Sequence, residues 1–492
     1  MNYEKIDALV MSMKDELIAD MKRWISIPSV QSPALPNAPF GAENRRMLDM
    51  ALADAQKYGF EVRDFDGYAG DISFGSGEQT MGMLCHLDVV PAGDGWKHDP
   101  WGAEIEDGKI FCRGTMDAKG PALCALYAMR AVRDAGVQLK DGVRLILGCD
   151  EETGMSDMRY YASKVKMPDY GFSPDAEFPV INIEKGGLGL ILSAYTGNED
   201  DADIPVYSLY AGERCNVVPG TAKAVLGVRD VEAFKAAVAK VAAEKNFKLT
   251  VEVEEEENNL LAGVELDVGV ELEIEEQITR VTLLAEGVSS HASMPHLGVN
   301  AAGMLLIALK ELGVGGGSRK AIAALADKIG LEYDGASIGI KQEDELSGPL
   351  TCNLGILRFD GAYISAELDI RYPICADEKD MCGAAAMALT GTGLCLTRKG
   401  GHTPHHVPAE HKIVRGLLQV YHEVTGLDAY AFAIGGGTYS RMMPNTVAFG
   451  LNFPGDTDTC HMPDEFIDIE KMMASVKIFA HAIAALAGGE IE

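Results

Sequence analysis

Two apolar runs that stop abruptly on histidine and carboxylates constrain this chain most. MGMLCHLDVV (81–90) and VRLILGCDEE (143–152) each read as a buried strand whose last residues turn polar. Between them, ALCALYAMRAVRDAG (122–136) has helical spacing, with Gly136 placed to cap its end. Strand, helix and strand in that order predict α/β architecture with a mostly parallel sheet. Polar residues at the strand ends put a functional site at the sheet's carboxyl edge.

The same texture extends outward. Helices are predicted near residues 5–25 and 41–58, and α/β character runs to about residue 185. From 186 to 375 strand-like runs such as LGLILSAYT and QITRVTLLAEG alternate with helices such as VEAFKAAVAKVAAEK, as in an inserted α+β domain. Beyond it, 376–492 resumes the first texture, so the expected division is 1–185, 186–375 and 376–492. A chain of 492 residues exceeds what one hydrophobic core sustains, which agrees with more than one domain. VEVEEEENN and LDVGVELEIEEQ within the insertion read as solvated edge strands.

Charge and composition exclude several functions. A formal net charge of −31 argues against nucleic acid, whose phosphates need clustered Lys and Arg. No apolar run is long enough to span a membrane, and the N-terminal stretch lacks the apolar core of a signal peptide. The ten cysteines are scattered without a CxxC pair, so reduced thiols in the cytoplasm are expected.

Chemistry concentrates on HLDVVPAGDGW, FCRGTMDAKGP, CDEETG, SPDAEFP and DTCHMPDE. A lone histidine at a strand end is usually structural, and a pair such as Glu151–Glu152 is usually solvated surface. Their recurrence where strands terminate changes the reading. Two histidines with three carboxylates suit a pair of borderline-hard ions, zinc first and manganese or cobalt next, when one carboxylate is shared. GHTPHHVPAEH, with His402, His405, His406 and His411, lacks helical spacing and is expected to be a loop.

Taken together and in this order, these motifs resemble the zinc aminoacylase/carboxypeptidase family, which includes the ArgE and DapE deacylases and the PepV-type dipeptidases. The resemblance covers nearly the whole chain. It implies that His86, Asp117 and Asp175 hold one metal, that Asp117 bridges to a second, and that Glu152 and His461 complete the second site. Glu151 is implied as the general base, and Asp88 as the acid that orients the His86 imidazole. The inserted domain corresponds to the family's lid through GERCNVVPG and EGVSSHASMPHLGVNA. There the resemblance implies that His291 reaches back to stabilise the oxyanion and that Asn216 binds substrate. Arg371 of LDIRYP is implied to hold a substrate carboxylate.

IGGGTYSR resembles the dipeptidase branch, with Gly435, Gly436, Gly437 and Thr438 in a loop whose N–H groups suit an anion. One departure is visible: where some dipeptidase relatives carry a second acid after the bridging Asp, this chain has Ala118. The implied activity is hydrolysis of unblocked dipeptides by a monomer. An N-acyl-amino-acid deacylase and a metal-free peptide-binding protein on the same fold are the competing expectations.

Overall fold

The computed structural model describes residues 3–75, 79–199, 202–254 and 278–491. The chain divides into two compact units, Met1–Glu184 with His405–Glu492, and Lys185–Pro404.

The first unit is built on a nine-stranded sheet. Strand Gly142–Gly148 is buried at every position and pairs in parallel with Gln79–His86. That strand pairs in parallel with Tyr170–Ser173, which pairs in parallel with Thr446–Ala448. Buried on both faces, such strands read as unbroken apolar runs rather than alternating ones, which is why they were legible. Outside this centre the pairings are antiparallel, except that Ala431–Ile434 pairs in parallel with Val180–Glu184. Glu61–Phe65 and Ala69–Phe74 form an antiparallel hairpin on one margin, and Val180–Glu184 pairs antiparallel with His405–His406 on the other. A connection as short as Asp66–Tyr68 can only join antiparallel neighbours.

The predicted crossover helix spans Lys119–Asp134, and Gly136 follows it with φ 76°, the left-handed conformation that glycine adopts freely. It packs against Gln79–His86 and the C-terminal helix Ile469–Ala487, so nearly all its faces are buried. The expected helix over 5–25 is two, Tyr3–Ser12 and Lys14–Ile25, meeting at Met13, whose φ −91° and ψ 0° keep it in the helical region. The next helix, Ala42–Lys57, falls where expected.

The second unit has an eight-stranded antiparallel sheet with its own core, covered by helices including Val231–Lys245 and Ala301–Leu312. Its end corrects the expected boundary at 375. Helix Glu378–Ala388 buries Met381 and Ala385 in this core, and strand Cys395–His402 pairs with Gly186–Tyr195. That strand is largely exposed and carries Arg398 and Lys399, so no apolar run announced it. Of the acidic stretches, Val251–Val253 ends the exposed edge strand Lys248–Val253, and residues 255–277 lie outside the described residues. Among the described residues no helix is long and apolar enough to cross a membrane.

Candidate metal centre

Three adjacent parallel strands deliver the first residues of the site. His86 is the last residue of Gln79–His86 and lies level with Gly148, the last residue of its neighbour. The chain leaving Gly148 therefore carries Glu151 and Glu152 past His86. The third strand, Tyr170–Ser173, ends two residues before Asp175. Asp117 comes from the loop preceding the crossover helix, and His461 from an irregular segment after strand Leu451–Asn452, with φ 62°.

These side chains converge. Asp117 Oδ1 lies 2.9 Å from His86 Nε2, while its other oxygen, Oδ2, lies 2.8 Å from His461 Nε2. His86 Nε2 is 3.1 Å from Asp175 Oδ2, and His461 Nε2 is 3.1 Å from Glu152 Oε1. One carboxylate thus faces two imidazoles, each of which faces a further carboxylate. Donor atoms of His86, Asp117 and Glu152 all lie within 4.8 Å of one another. Asp117, Glu151, Glu152, Asp175 and His461 line a single cavity of about 300 Å³.

The donor set fits divalent ions on a tautomer argument. His86 Nδ1 donates to the Asp88 carbonyl oxygen at 2.9 Å, and a carbonyl can only accept. In the neutral ring the Nε2 lone pair then points at Asp117 and Asp175, the orientation a metal ligand needs. Charge supports the same reading. The Asp117 and Glu152 carboxylates push the His461 imidazole up to about 11, a site that attracts positive charge. Burial, the largest influence on Glu151, raises its carboxyl well above the ordinary value, against the pull of His86.

Asp88 stands beside His86, as expected, and makes further contacts. Its carboxylate is 3.4 Å from His86 Nδ1, longer than the bond to its carbonyl. The carboxylate also accepts the backbone N–H of Glu151 at 3.2 Å and of Glu152 at 3.1 Å. Asp88 therefore holds the imidazole through its backbone and the Glu151–Glu152 turn through its side chain.

The glycine-rich loop also needs a correction. Gly436, Gly437 and Thr438 line the same cavity. The Thr438 N–H and hydroxyl, however, both donate to Glu184 Oε1, at 2.9 and 2.7 Å, which leaves them committed within the protein. Arg441 completes that buried arrangement with Nε and Nη2 on Glu184 Oε2 at 3.0 and 2.8 Å. A second support was not singled out by sequence. The Tyr439 hydroxyl donates to Asp157, which also accepts the N–H groups of Cys149 at 2.6 Å and Asp150 at 2.9 Å. An acid in a helix and a tyrosine in a loop are ordinary in isolation, so only their meeting reveals the link.

The remaining predicted residues belong to the second unit. Val217 and His291 form an isolated β-bridge, and Ala292 N–H donates to the Asn216 carbonyl at 2.9 Å, so the two expected motifs lie side by side. His291 Nδ1 accepts the Ser293 N–H at 3.2 Å, which places the proton of the neutral ring on Nε2. Asn353, unnoticed in the sequence, donates to the carbonyls of Cys215 and Val217 at 3.0 and 3.1 Å and so fixes the loop around Asn216. Arg371 pairs with Asp369, Nε to Oδ1 at 2.6 Å. Of the histidine cluster, His402 ends a strand, His405 and His406 form another, and His411 caps helix Lys412–Thr425.

A strand-edge cluster of imidazoles around a shared carboxylate, on a central parallel sheet with an inserted antiparallel domain, defines a metallopeptidase. The chain belongs to Peptidase family M20/M25/M40, whose profile matches residues 82–485. It is 35% identical over 492 residues to YtjP of Bacillus subtilis (strain 168), covering 99% of this chain and 100% of that one. It is 33% identical over 488 residues to the Beta-Ala-Xaa dipeptidase of Lactobacillus delbrueckii subsp. lactis, covering 98% of each. Human carnosine dipeptidase 1 shares the fold, with a TM-score of 0.56, 16% identity and 99% of each chain covered.

Proposed function

We propose that the protein is a metal-dependent dipeptidase that hydrolyses the peptide bond of unblocked dipeptides. The observation that carries this reading is Asp117, whose two oxygens face two different imidazoles. His86, Asp117 and Asp175 would hold one divalent ion, and Asp117, Glu152 and His461 a second, with Zn²⁺ favoured over Mn²⁺ or Co²⁺ by the mixed imidazole and carboxylate donors. When bound, the ions supply Lewis-acid activation of water and of the scissile carbonyl.

The chain's own residues do the rest. Glu151 lines the cavity beside the ligands, and its turn is held by Asp88. It takes a proton from the attacking water and returns it to the nitrogen of the leaving amine as the C–N bond breaks. Its raised carboxyl suits both halves of that transfer. His291, with its proton on Nε2, serves as the oxyanion donor that the resemblance assigns. Asn216 and Arg371 serve substrate binding, the guanidinium being suited to a terminal carboxylate. Gly436 and Gly437 serve it from the cavity wall, while Thr438 shapes their loop.

Dipeptidase relatives spanning almost the full chain favour this reading over N-acyl deacylation. All ten cysteines are free, which supports action in the cytoplasm, and the enlarged inserted domain supports a monomer. The test is a panel of free, β-alanyl and N-acylated dipeptides, assayed with zinc, manganese or cobalt. Free dipeptides should turn over fastest. Faster cleavage of the acylated set would make the protein a deacylase, and no turnover with any metal would favour a binding protein.

A further inference from the structure

His461 stands on an irregular, half-exposed segment, yet it must hold its place opposite Asp117. Four residues later the chain buries Glu465 completely. Its carboxylate accepts the N–H groups of Gly114, Met116 and Asp117 at 3.0, 2.9 and 3.3 Å, while the Thr115 hydroxyl donates to the Cys112 carbonyl at 2.8 Å. The Glu465 carbonyl accepts the Cys112 N–H at 3.0 Å. Glu465 therefore grips the whole turn that presents Asp117.

The other Glu465 oxygen pairs with Arg113 Nη1 at 2.6 Å, and that side chain is also buried. Arg113 Nη2 donates to the Ala92 carbonyl at 3.1 Å, and its guanidinium lies 5.2 Å from the Trp96 ring. Ala92 and Trp96 belong to the loop that starts at His86. Next door, Asp464 Oδ1 accepts the N–H groups of Lys97 and His98 at 3.0 and 3.1 Å, a second tie to that loop.

We propose that Glu465, paired with Arg113, is a positioning residue that keys the loops of His86, Asp117 and His461 to one another and so sets the separation of the two metal positions. Glu465 touches neither substrate nor metal in this assignment; it acts through Asp117 and His461. A buried ion pair that served only stability would be replaceable by apolar side chains, and hydrophobic replacements of such pairs are often neutral or stabilising. Here the carboxylate accepts three N–H groups of one short turn, and that turn carries the shared ligand. The consequence is specific. Loosening Glu465 should weaken the ion held by Glu152 and His461 more than the ion held by His86 and Asp175, whose strand ends are fixed by the sheet.

This inference rests on the proposed metal ligands, and the experiment separates the two. Zinc binding is titrated by competition with a chromophoric chelator for wild type, E465Q, E465D and R113K, alongside circular dichroism, kcat and KM. Wild type should bind two zinc ions; failure to do so would overturn the ligand assignment itself. E465Q should fold and keep the first ion, and its affinity for the second should fall at least about tenfold, with kcat falling, KM little changed and excess zinc restoring rate. E465D, which keeps the charge on a shorter stem, should be intermediate. A folded E465Q with two ions bound as in wild type would refute the positioning role while leaving the ligands intact. Where E465Q does not fold, R113K decides: selective loss of the second ion supports the proposal, and normal binding or unfolding reduces the pair to a stability element.

Discussion

The Asp88 carboxylate accepts the backbone N–H of Glu152 at 3.1 Å, while the Asp88 carbonyl accepts the His86 imidazole N–H. One residue thereby links the ends of two neighbouring strands. Replacement by Asn keeps the carbonyl contact but weakens the grip on the Glu151–Glu152 turn, since one carboxylate oxygen becomes an N–H donor facing another donor. D88N should bind metal or turn over about 10- to 100-fold less well, the usual cost of losing such a support. Unchanged metal affinity and kcat would show that the turn holds itself.

Glu151 and Glu152 are neighbours with different proposed tasks. E151Q keeps shape but removes the proton acceptor, so kcat should fall about 10²–10⁴-fold with metal content near wild type. Loss of metal together with activity would mean the two roles are exchanged.

The pH profile follows from the same group. Glu151 must be deprotonated to accept a proton, so activity rises with pH through its pKa. Burial raises that carboxyl above the ordinary 4.5, so the acidic limb of kcat/KM should lie above pH 4.5. A limb at or below that value would show that bound cations outweigh burial.

His291 is tested by kinetics. A donor that acts mainly in the transition state lowers kcat more than it raises KM when removed. H291A should lose about 10²–10³ in kcat with full metal occupancy. A near-normal kcat would reduce His291 to a turn residue bound to Ser293.

Metal removal should affect stability as well as rate. Ions that bind only the folded state stabilise it by about 4 kcal/mol when present at 1,000 times their Kd. Chelation should abolish turnover and lower the Tm, and zinc should restore both. A chelated protein with unchanged Tm and full activity would exclude a metal centre.

Gly437 gives a purely steric test. A Cβ there would lie 1.7 Å from Arg441 Nη2, so G437A must displace Arg441 from Glu184. The expected cost is about 1–3 kcal/mol of stability, read from a denaturant titration. A neutral substitution would show that the loop relaxes freely.

How much of this was legible divides along a physical line. His86, Glu151 and Glu152 were placed at the sheet edge because a fully buried strand is an unbroken apolar run whose end must meet that edge, while their roles and the choice of Asp175 came from motif resemblance. Gly136 was readable because a left-handed helix end favours glycine. Asp117 and His461 came from motif resemblance, since nothing in their spacing says that one carboxylate faces both imidazoles. The second domain boundary was missed because Cys395–His402 joins its sheet by backbone hydrogen bonds, which leave no mark on side-chain type.

The tertiary structure alone decided the supporting contacts. Thr438 looked like an anion donor until its N–H and hydroxyl were found on Glu184. Asp88 was read as a partner for His86 alone, and its carboxylate also holds the next strand's turn. Arg113 and Glu465 were not singled out within their motifs. By itself the sequence determined where polar groups must leave the core, because burial is paid residue by residue and periodicity records it. Which of those groups then meet depends on loops brought together across hundreds of residues, and hydrogen-bond partners chosen at that distance have no local signature.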